Sequence, residues 1–432
     1  MQLVIIAGGK GTRLGLSDIP KPMVPIAGKP LLERQILLAK EYGLEEIYIL
    51  SGHLSEVIVD YFGDGSKWAV KITHVVENKP LGTAGAVKQL EKMITDRFIV
   101  FYGDTIMDID LDAFQKFDRD QKDSLGTLMV HPNDHPYDSD LLEIDKLSKV
   151  VQFHSKPHQE GRYYSNLVNA ALYIFSPKIF DYIKENEFSD FGKDIFPKVI
   201  SQENLYAYKT TEYLKDMGTP ERLKKVEKDI LTGKVARLNK KNKQKAIFLD
   251  RDGVINKEVD NLSKIDDFEL LDGVIEALKL INKSEYIAIV VTNQPAIAKG
   301  FLTEEELFEI HKKMDTLLGE GRAYVDGLFY CPHHPEKGFE GEIEELKIDC
   351  ECRKPKSGML LEAAKKYNIN LKESWIIGDR YVDIQAGKNV ECKTVLVQTG
   401  YAGDDKVTFG IESDFVFSDL KAAVQSIILE KV

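Results

Sequence analysis

Short apolar runs that stop on glycine or aspartate recur along this chain in two separate series, and that rhythm constrains its fold more than any other feature. In the first series Leu3–Ala7 runs into Gly8 and Gly9, and Pro30–Tyr42 follows with apolar residues at helical spacing (Leu31, Leu32, Ile36, Leu37). Ile47–Leu50 reads as a second strand, His53–Phe62 as a second helix, and Phe98–Tyr102 as a third strand ended by Gly103-Asp104. Strands that alternate with helices predict a mostly parallel sheet covered on both faces, because parallel neighbours need a crossover between them. Ligands of such sheets gather beyond the carboxyl ends of the strands. The rhythm lapses at Gly233–Lys245, where GKVARLNKKNKQK is basic, polar and without apolar periodicity, as expected of a helix tail and a linker. It then restarts. Ala246–Leu249 runs into Asp250, Val274–Ile281 is helical, and Ile287–Val291 stops at Thr292. Thr303–Leu318 is a helix opened by a threonine cap with acids in its first turn, Trp375–Ile377 stops at Gly378-Asp379, and Thr394–Val397 is a further strand. A chain of 432 residues is also too long for one core of about 100–200. The expected class is α/β, with one doubly wound, mostly parallel-sheet domain at 1–233, a linker at 234–245 and a second such domain at 246–432.

Composition removes some function classes. A net charge of -12 argues against a general nucleic-acid binder, although local loops can still hold nucleotides. No stretch approaches the roughly 20 apolar residues of a membrane span, and the first residues lack the basic region of a secretion signal, so a cytoplasmic protein is expected. The four cysteines are Cys331, Cys350, Cys352 and Cys392. In a reducing compartment, clustering of this kind points to metal before disulfide.

The loop GGKGTRL (Gly8–Leu14) directly follows the first strand, where glycine amides can cradle phosphate and Lys10 and Arg13 add positive charge. Pro20-Lys21-Pro22 holds a lysine between two rigid residues. LGTAGAV (Leu81–Val87) reads as a second small-residue loop that a planar base could approach. Asp104 and Asp216 offer two carboxylates, which together with phosphate oxygens suit Mg²⁺.

These features together resemble the sugar-1-phosphate nucleotidyltransferase family over Met1–Leu231, on the motifs GGKGTRL, PKPMVPI, ENKPLGTAGA, YGD and DMGTPE. The resemblance implies that Gly8, Gly9, Gly11, Thr12 and Arg13 bind a nucleoside triphosphate and that Lys21 contacts its phosphates. It implies that Gly82, Thr83 and Ala84 line the base and ribose pocket, and that Asp104 and Asp216 hold Mg²⁺. Lys156 would bind the sugar phosphate and Asn169 the sugar. Two positions depart from the family: Ser155 stands where an acid usually precedes the lysine, and Ala170 replaces a glycine. The implied reaction is in-line attack of the sugar phosphate on the α-phosphorus, with catalysis by positioning and charge neutralisation through Arg13, Lys21 and Lys156.

In the second half FLDRDGVIN places Asp250 and Asp252 two residues apart at a strand end, on one side of the chain. One can act as nucleophile while the other exchanges a proton with the leaving group. Thr292, Lys354, Asp379 and Asp383 complete an ordered set that resembles the haloacid dehalogenase superfamily of phosphatases over Lys245–Val432. The resemblance makes Asp250 the nucleophile and Asp252 the general acid/base. Thr292, Asn293 and Lys354 would bind the substrate and its transferred phosphoryl group. Mg²⁺ would sit on Asp250, Asp379 and the Asp252 carbonyl, with Asp383 in support. Both domains would then be Rossmann-like, a nucleotidyltransferase fold followed by a haloacid-dehalogenase-like fold.

Cys331, His333, Cys350 and Cys352 form two close pairs whose three thiolates and one imidazole suit a closed structural Zn²⁺ site, with His334 as alternative to His333 and Cys392 as a core residue. This loop runs into Arg353-Lys354-Pro355, and in that order it resembles the D-glycero-D-manno-heptose 1,7-bisphosphate phosphatases, with histidinol phosphatases as related bearers of the zinc loop. Arg353 would then reach the phosphate that is not removed. Pro295-Ala296 departs from the usual Ser-Gly of that group. A phosphatase of that kind leaves heptose 1-phosphate, a proper substrate for the first half, so the expectation is a two-step enzyme of GDP-heptose synthesis that takes sugar phosphates and GTP. The rivals are a mannose or hexose 1-phosphate nucleotidyltransferase joined to a different phosphatase, and a non-catalytic nucleotide-sugar-binding regulator. The intact carboxylates speak against the second.

Overall fold

The computed structural model describes residues 1–9, 18–405 and 410–429. They form two compact units.

The first unit comprises residues 1–131, 139–158 and 167–239. Its central strand, Gln2–Ile6, pairs in parallel with Glu46–Ser51 on one side and Phe98–Tyr102 on the other, and Lys71–Val76 adds to Glu46–Ser51, also in parallel. Leu3 and Ile5 face one core with Leu32, Ile36, Ile58 and Phe62, while Val4 faces the other with Ala84, Val87 and Phe191. That alternation, buried on both faces, is why the strand is apolar throughout. Beyond Phe98–Tyr102 the sheet carries an antiparallel extension: Val168–Phe175 runs against Phe98–Tyr102 and Gly126–His131, and Leu141–Ile144 pairs with Val150–His154 at the edge. A separate ladder joins Thr105–Asp108 to Tyr213–Asp216.

One local expectation is corrected. Gly82–Lys88, read as a loop, is an α-helix. The Ser189 carbonyl accepts the otherwise orphaned N–H groups of Ala84 and Gly85, and the small side chains let this turn pack into the core. Within 234–245, Lys234–Arg237 forms a short helix whose Val235 is buried with Ile106, Tyr213, Met217 and Val226.

The second unit comprises residues 132–138, 159–166 and 240–432. Its six strands are all parallel, in the order Gly327–Cys331, Tyr286–Asn293, Lys245–Leu249, Trp375–Gly378, Lys393–Val397 and Phe415–Phe417. Glu304–Glu320 begins with a complete capping box between Thr303 and Glu306. On that helix Thr316 Oγ1 accepts the Tyr164 N–H at 2.8 Å and Asp315 accepts the Asn166 N–H at 3.0 Å. Chain order alone gives no sign that 159–166 belongs here. Among the described residues, no helix is long and apolar enough to cross a membrane.

Candidate active sites and a candidate metal centre

In the first unit the carboxyl end of Gln2–Ile6 leads into Gly8 and Gly9, while Gly11, Thr12 and Arg13 lie outside the described residues. A Cβ built on Gly8 would stand 2.7 Å from Glu77 Oε2, so glycine there leaves room for this carboxylate. Glu77 is the first residue of the ENKPLGTAGA motif, a position to which the motif alone assigns no role. Burial raises its pKa, the Leu81 backbone N–H bonds to it, and Oε1 is buried with no partner among the described residues.

Pro20 and Pro22 set Lys21 on a short 3₁₀ turn, from which its Nζ reaches Asp104 Oδ2 at 2.6 Å. The backbones of Asp104 and Asp216 lie side by side, because Thr105 faces Asp216 in the two-stranded ladder and the Met217 N–H donates to the Asp104 carbonyl at 3.1 Å. Arg222 Nη1 holds both Asp216 oxygens, at 2.8 and 2.7 Å. Arg222 was not anticipated; its Thr219 cap and DMGTPE context were the available signal. Paired oxygen donors of this kind fit a Mg²⁺ that also binds phosphate.

The helix Gly82–Lys88 presents its residues unevenly. Gly82 has φ +74°, and a Cβ there would meet the Ser189 carbonyl at 2.4 Å, so only glycine fits. Thr83 Oγ1 donates to Asp190 at 3.0 Å and accepts the Phe191 N–H at 3.0 Å. Ala84 is fully buried and its amide is bonded to Ser189. Asn169 Nδ2 donates to the Tyr173 hydroxyl at 3.0 Å, beneath which Tyr102 and Tyr173 stack edge to face. Lys156 is exposed, and its backbone N–H donates to Asp140 Oδ1 at 3.1 Å.

In the second unit the strand ends converge as the sequence pattern implies. Asp250, Asp379 and Asp383 are buried with one oxygen each inside 4.8 Å of the others. Burial and neighbouring carboxylates push Asp250 to about 7 and Asp379 to about 8. Lys354 Nζ lies 3.0 Å from Asp250 and 2.5 Å from Asp383 and donates to the Val291 carbonyl at 2.7 Å. One ammonium among three buried carboxylates leaves negative charge uncompensated, and hard oxygen donors in that state fit Mg²⁺. Gly253 and Gly400 make space for it: a Cβ on either would come within 2.3 Å of Asp379 Oδ2.

Asp252 is held differently. Both its oxygens accept from Arg251 Nη2 at 2.9 Å, and Asn256 and Gln294 donate to it at 2.9 and 2.8 Å. Gln294 also donates to Thr292 Oγ1 at 2.9 Å. Asn293, expected to touch substrate, spends its amide on Lys354 instead: Nδ2 donates to the Lys354 carbonyl and Oδ1 accepts the Lys354 N–H, each at 3.0 Å. It fixes the lysine's backbone. Arg251, Gln294 and Glu258, a carboxylate pushed to about 7 chiefly by burial, were not read from sequence.

Cys331, His333, Cys350 and Cys352 gather at the end of Gly327–Cys331. The three Sγ atoms are 3.2 to 3.4 Å apart, and His333 Nδ1 is 3.3 Å from Cys352 Sγ. Three sulfurs and one imidazole at such distances match a tetrahedral Zn²⁺ shell. His333, and not His334, is the histidine of this cluster. Arg353 Nη1 donates to the His333 carbonyl at 3.2 Å, which ties the cluster to the Arg353-Lys354 pair. Cys392 is buried outside the cluster, and burial pushes its thiol up to about 12.

Comparison with known proteins adds to this geometry. Residues 2–233 match the family model described as nucleotidyl transferase, and residues 351–423 match the one described as HAD-hydrolase-like. A D-glycero-beta-D-manno-heptose-1,7-bisphosphate 7-phosphatase of Haemophilus influenzae is 46% identical over 158 residues, covering 36% of this chain and 83% of that protein. A crystal structure of HddC from Yersinia pseudotuberculosis complexed with GMP-PN is 32% identical, covering 53% of this chain and 99% of that one, with a TM-score of 0.46. A D,D-heptose 1.7-bisphosphate phosphatase from B. bronchiseptica, complexed with magnesium and phosphate, is 32% identical, covering 43% and 99%, with a TM-score of 0.39.

Proposed function

Because this chain belongs to the nucleotidyl transferase family through residues 2–233 and to the heptose-bisphosphate phosphatase family through its HAD-like domain, we propose that it carries out two consecutive steps toward GDP-D-glycero-D-manno-heptose. The phosphatase unit would remove the C7 phosphate of D-glycero-D-manno-heptose 1,7-bisphosphate. Asp250 attacks phosphorus and the bond between phosphorus and the C7 oxygen breaks, while Asp252 gives the departing C7 oxygen its proton; Asp252 then takes a proton from the water that hydrolyses the aspartyl-phosphate. Lys354 and Thr292 hold the transferred group. Mg²⁺, when bound by Asp250 and Asp379, with Asp383 beside them, would neutralise charge on that group. The observation that carries the reading is the pairing of Lys354, beside the nucleophile, with Arg353, fixed next to it by the His333 carbonyl. A bisphosphate offers one phosphate to each cation.

The product, a sugar 1-phosphate, is the substrate of the other unit. There its oxygen would attack the α-phosphorus of a nucleoside triphosphate and displace pyrophosphate, with Arg13, Lys21 and Lys156 offsetting charge and Asp104 and Asp216 holding Mg²⁺. Glu77 supports GTP: guanine carries two adjacent N–H donors that a carboxylate can accept together, whereas uracil and thymine set one N–H between two carbonyls. A compartment that keeps the Cys331 cluster reduced, such as the cytoplasm, suits this chemistry.

The test is a panel of heptose 1,7-bisphosphate, heptose 1-phosphate and mannose 1-phosphate with each nucleoside triphosphate. Asp250→Asn is expected to abolish phosphate release and spare pyrophosphate release, and Asp104→Ala the reverse. Loss of both activities from either change would contradict two separate sites, and preference for mannose 1-phosphate would replace the heptose assignment.

A further inference from the structure

The acid that Ser155 fails to supply is present one strand away. Leu141–Ile144 pairs antiparallel with Val150–His154, and the register sets His154 opposite Leu141. The ladder ends there, with Ser155 following His154 and Asp140 preceding Leu141. Asp140 is also bonded to both residues expected to hold the sugar phosphate. Its Oδ1 accepts the Lys156 N–H at 3.1 Å, and its carbonyl accepts the Asn169 N–H at 2.9 Å.

Its second oxygen differs from those of the neighbouring Asp190. There Oδ2 accepts from Thr83 at 3.0 Å, and Oδ1 accepts the N–H groups of Gly192 and Lys193 at 3.0 and 3.3 Å. Asp140 Oδ2 has no hydrogen-bond donor among the described residues, and Gly192 beside it lacks a side chain; a Cβ there would lie 3.3 Å from Oδ2 and from the Phe153 ring. A carboxylate oxygen left bare beside a lysine for phosphate is an acceptor for a hydroxyl on the same small molecule.

We infer that Asp140 reads a hydroxyl of the sugar in place of the acid missing at 155, and that Gly192 keeps the approach to it open. This rests on the reading of the first unit as a sugar-1-phosphate nucleotidyltransferase and adds a specificity-determining residue to it.

The test uses the full-length chain and its Asp140→Asn, Asp140→Ala and Asp140→Ala/Ser155→Glu variants, varying sugar 1-phosphate and GTP separately. Asp140→Ala should raise KM for the sugar phosphate at least about tenfold, the loss expected for one hydrogen bond to a charged group. KM for GTP should change less than about twofold. Asp140→Asn should move the same way, because its amide keeps an acceptor for the Lys156 N–H while losing the charge. Ser155→Glu should restore most of the sugar affinity to the alanine variant. Phosphate release from the bisphosphate, unchanged throughout, reports that the chain is folded. An unchanged sugar KM in Asp140→Ala, or an equal rise for both substrates, overturns the inference, as does a rise that Ser155→Glu leaves in place. Should the wild type refuse heptose 1-phosphate yet use mannose 1-phosphate, the heptose assignment falls and Asp140 is judged on mannose 1-phosphate. Should it bind no sugar 1-phosphate by calorimetry, both fall.

Discussion

Arg251 sits between the two aspartates expected to perform the phosphatase chemistry, and it is among the largest fully buried side chains in the protein. Its charge is met by Asp252, and its Nη1 points at His311 Nε2, 3.2 Å away. A guanidinium only donates, so His311 Nε2 must accept and the ring must be neutral. Burial, and then the Arg251 charge, hold the His311 pKa well below its ordinary value. The sign follows directly: as pH falls below about 6.5 the unfolded chain binds a proton at this histidine that the folded chain does not, so stability falls. The contribution approaches about 1.4 kcal/mol per pH unit once the unfolded imidazole titrates fully. Urea unfolding of the phosphatase unit between pH 7 and 5 should therefore show a smaller loss in His311→Asn than in wild type. An identical slope in the two would mean that His311 is charged in the fold. Sequence gave no hint of this pair, because a helix position meets a strand-end arginine only through packing. Asp250, Asp104 and Asp379 were legible for the opposite reason. Each ends an apolar run or follows its terminal glycine, so the strand that identifies it is also the strand that positions it.

The elements were legible where one local signal decided them. The capping box at Thr303 marks its helix start, and unbroken apolar runs mark the parallel strands. The small residues of Gly82–Lys88 signal a loop, but its first turn is stabilised as a helix by the Ser189 carbonyl from far along the chain. The antiparallel extension escaped for the same reason, since its pairing is not encoded in strand composition. If Cys331, His333, Cys350 and Cys352 hold Zn²⁺ as proposed, the order of the cysteine loop depends on that ion. Without an ion, three thiols are packed together and the segment entering Arg353-Lys354 loses its anchor. Removing Zn²⁺ with a strong chelator, or substituting Cys352→Ser, should lower phosphatase kcat by about 10–100-fold, the range for groups that support a site from behind. Pyrophosphate release by the other unit should persist. The checks are about one equivalent of zinc released per chain and both rates measured on the same sample. Full phosphatase activity in metal-free protein would show that the cluster does not set Lys354.

Across the whole molecule, the proposed function has the two units divide one sequence of reactions at a product that is a free small molecule. The proposed sets each gather, among the described residues, within one unit: Lys21, Asp104 and Asp216 in the first, and Asp250, Lys354, Asp379 and Asp383 in the second. Fusion then ensures equal amounts of the two activities and raises the local concentration of the intermediate, but it does not oblige the intermediate to stay bound. This makes a mixing experiment decisive. Asp250→Asn alone should form no nucleotide sugar from heptose 1,7-bisphosphate and GTP, although it forms it from heptose 1-phosphate. Asp104→Ala alone should accumulate heptose 1-phosphate. An equimolar mixture of the two should turn bisphosphate into nucleotide sugar after a lag that shortens as enzyme concentration rises, because the intermediate must diffuse between molecules. If the mixture stays inactive while both single activities are intact, the intermediate never leaves the chain that made it, and the second step depends on delivery within one molecule.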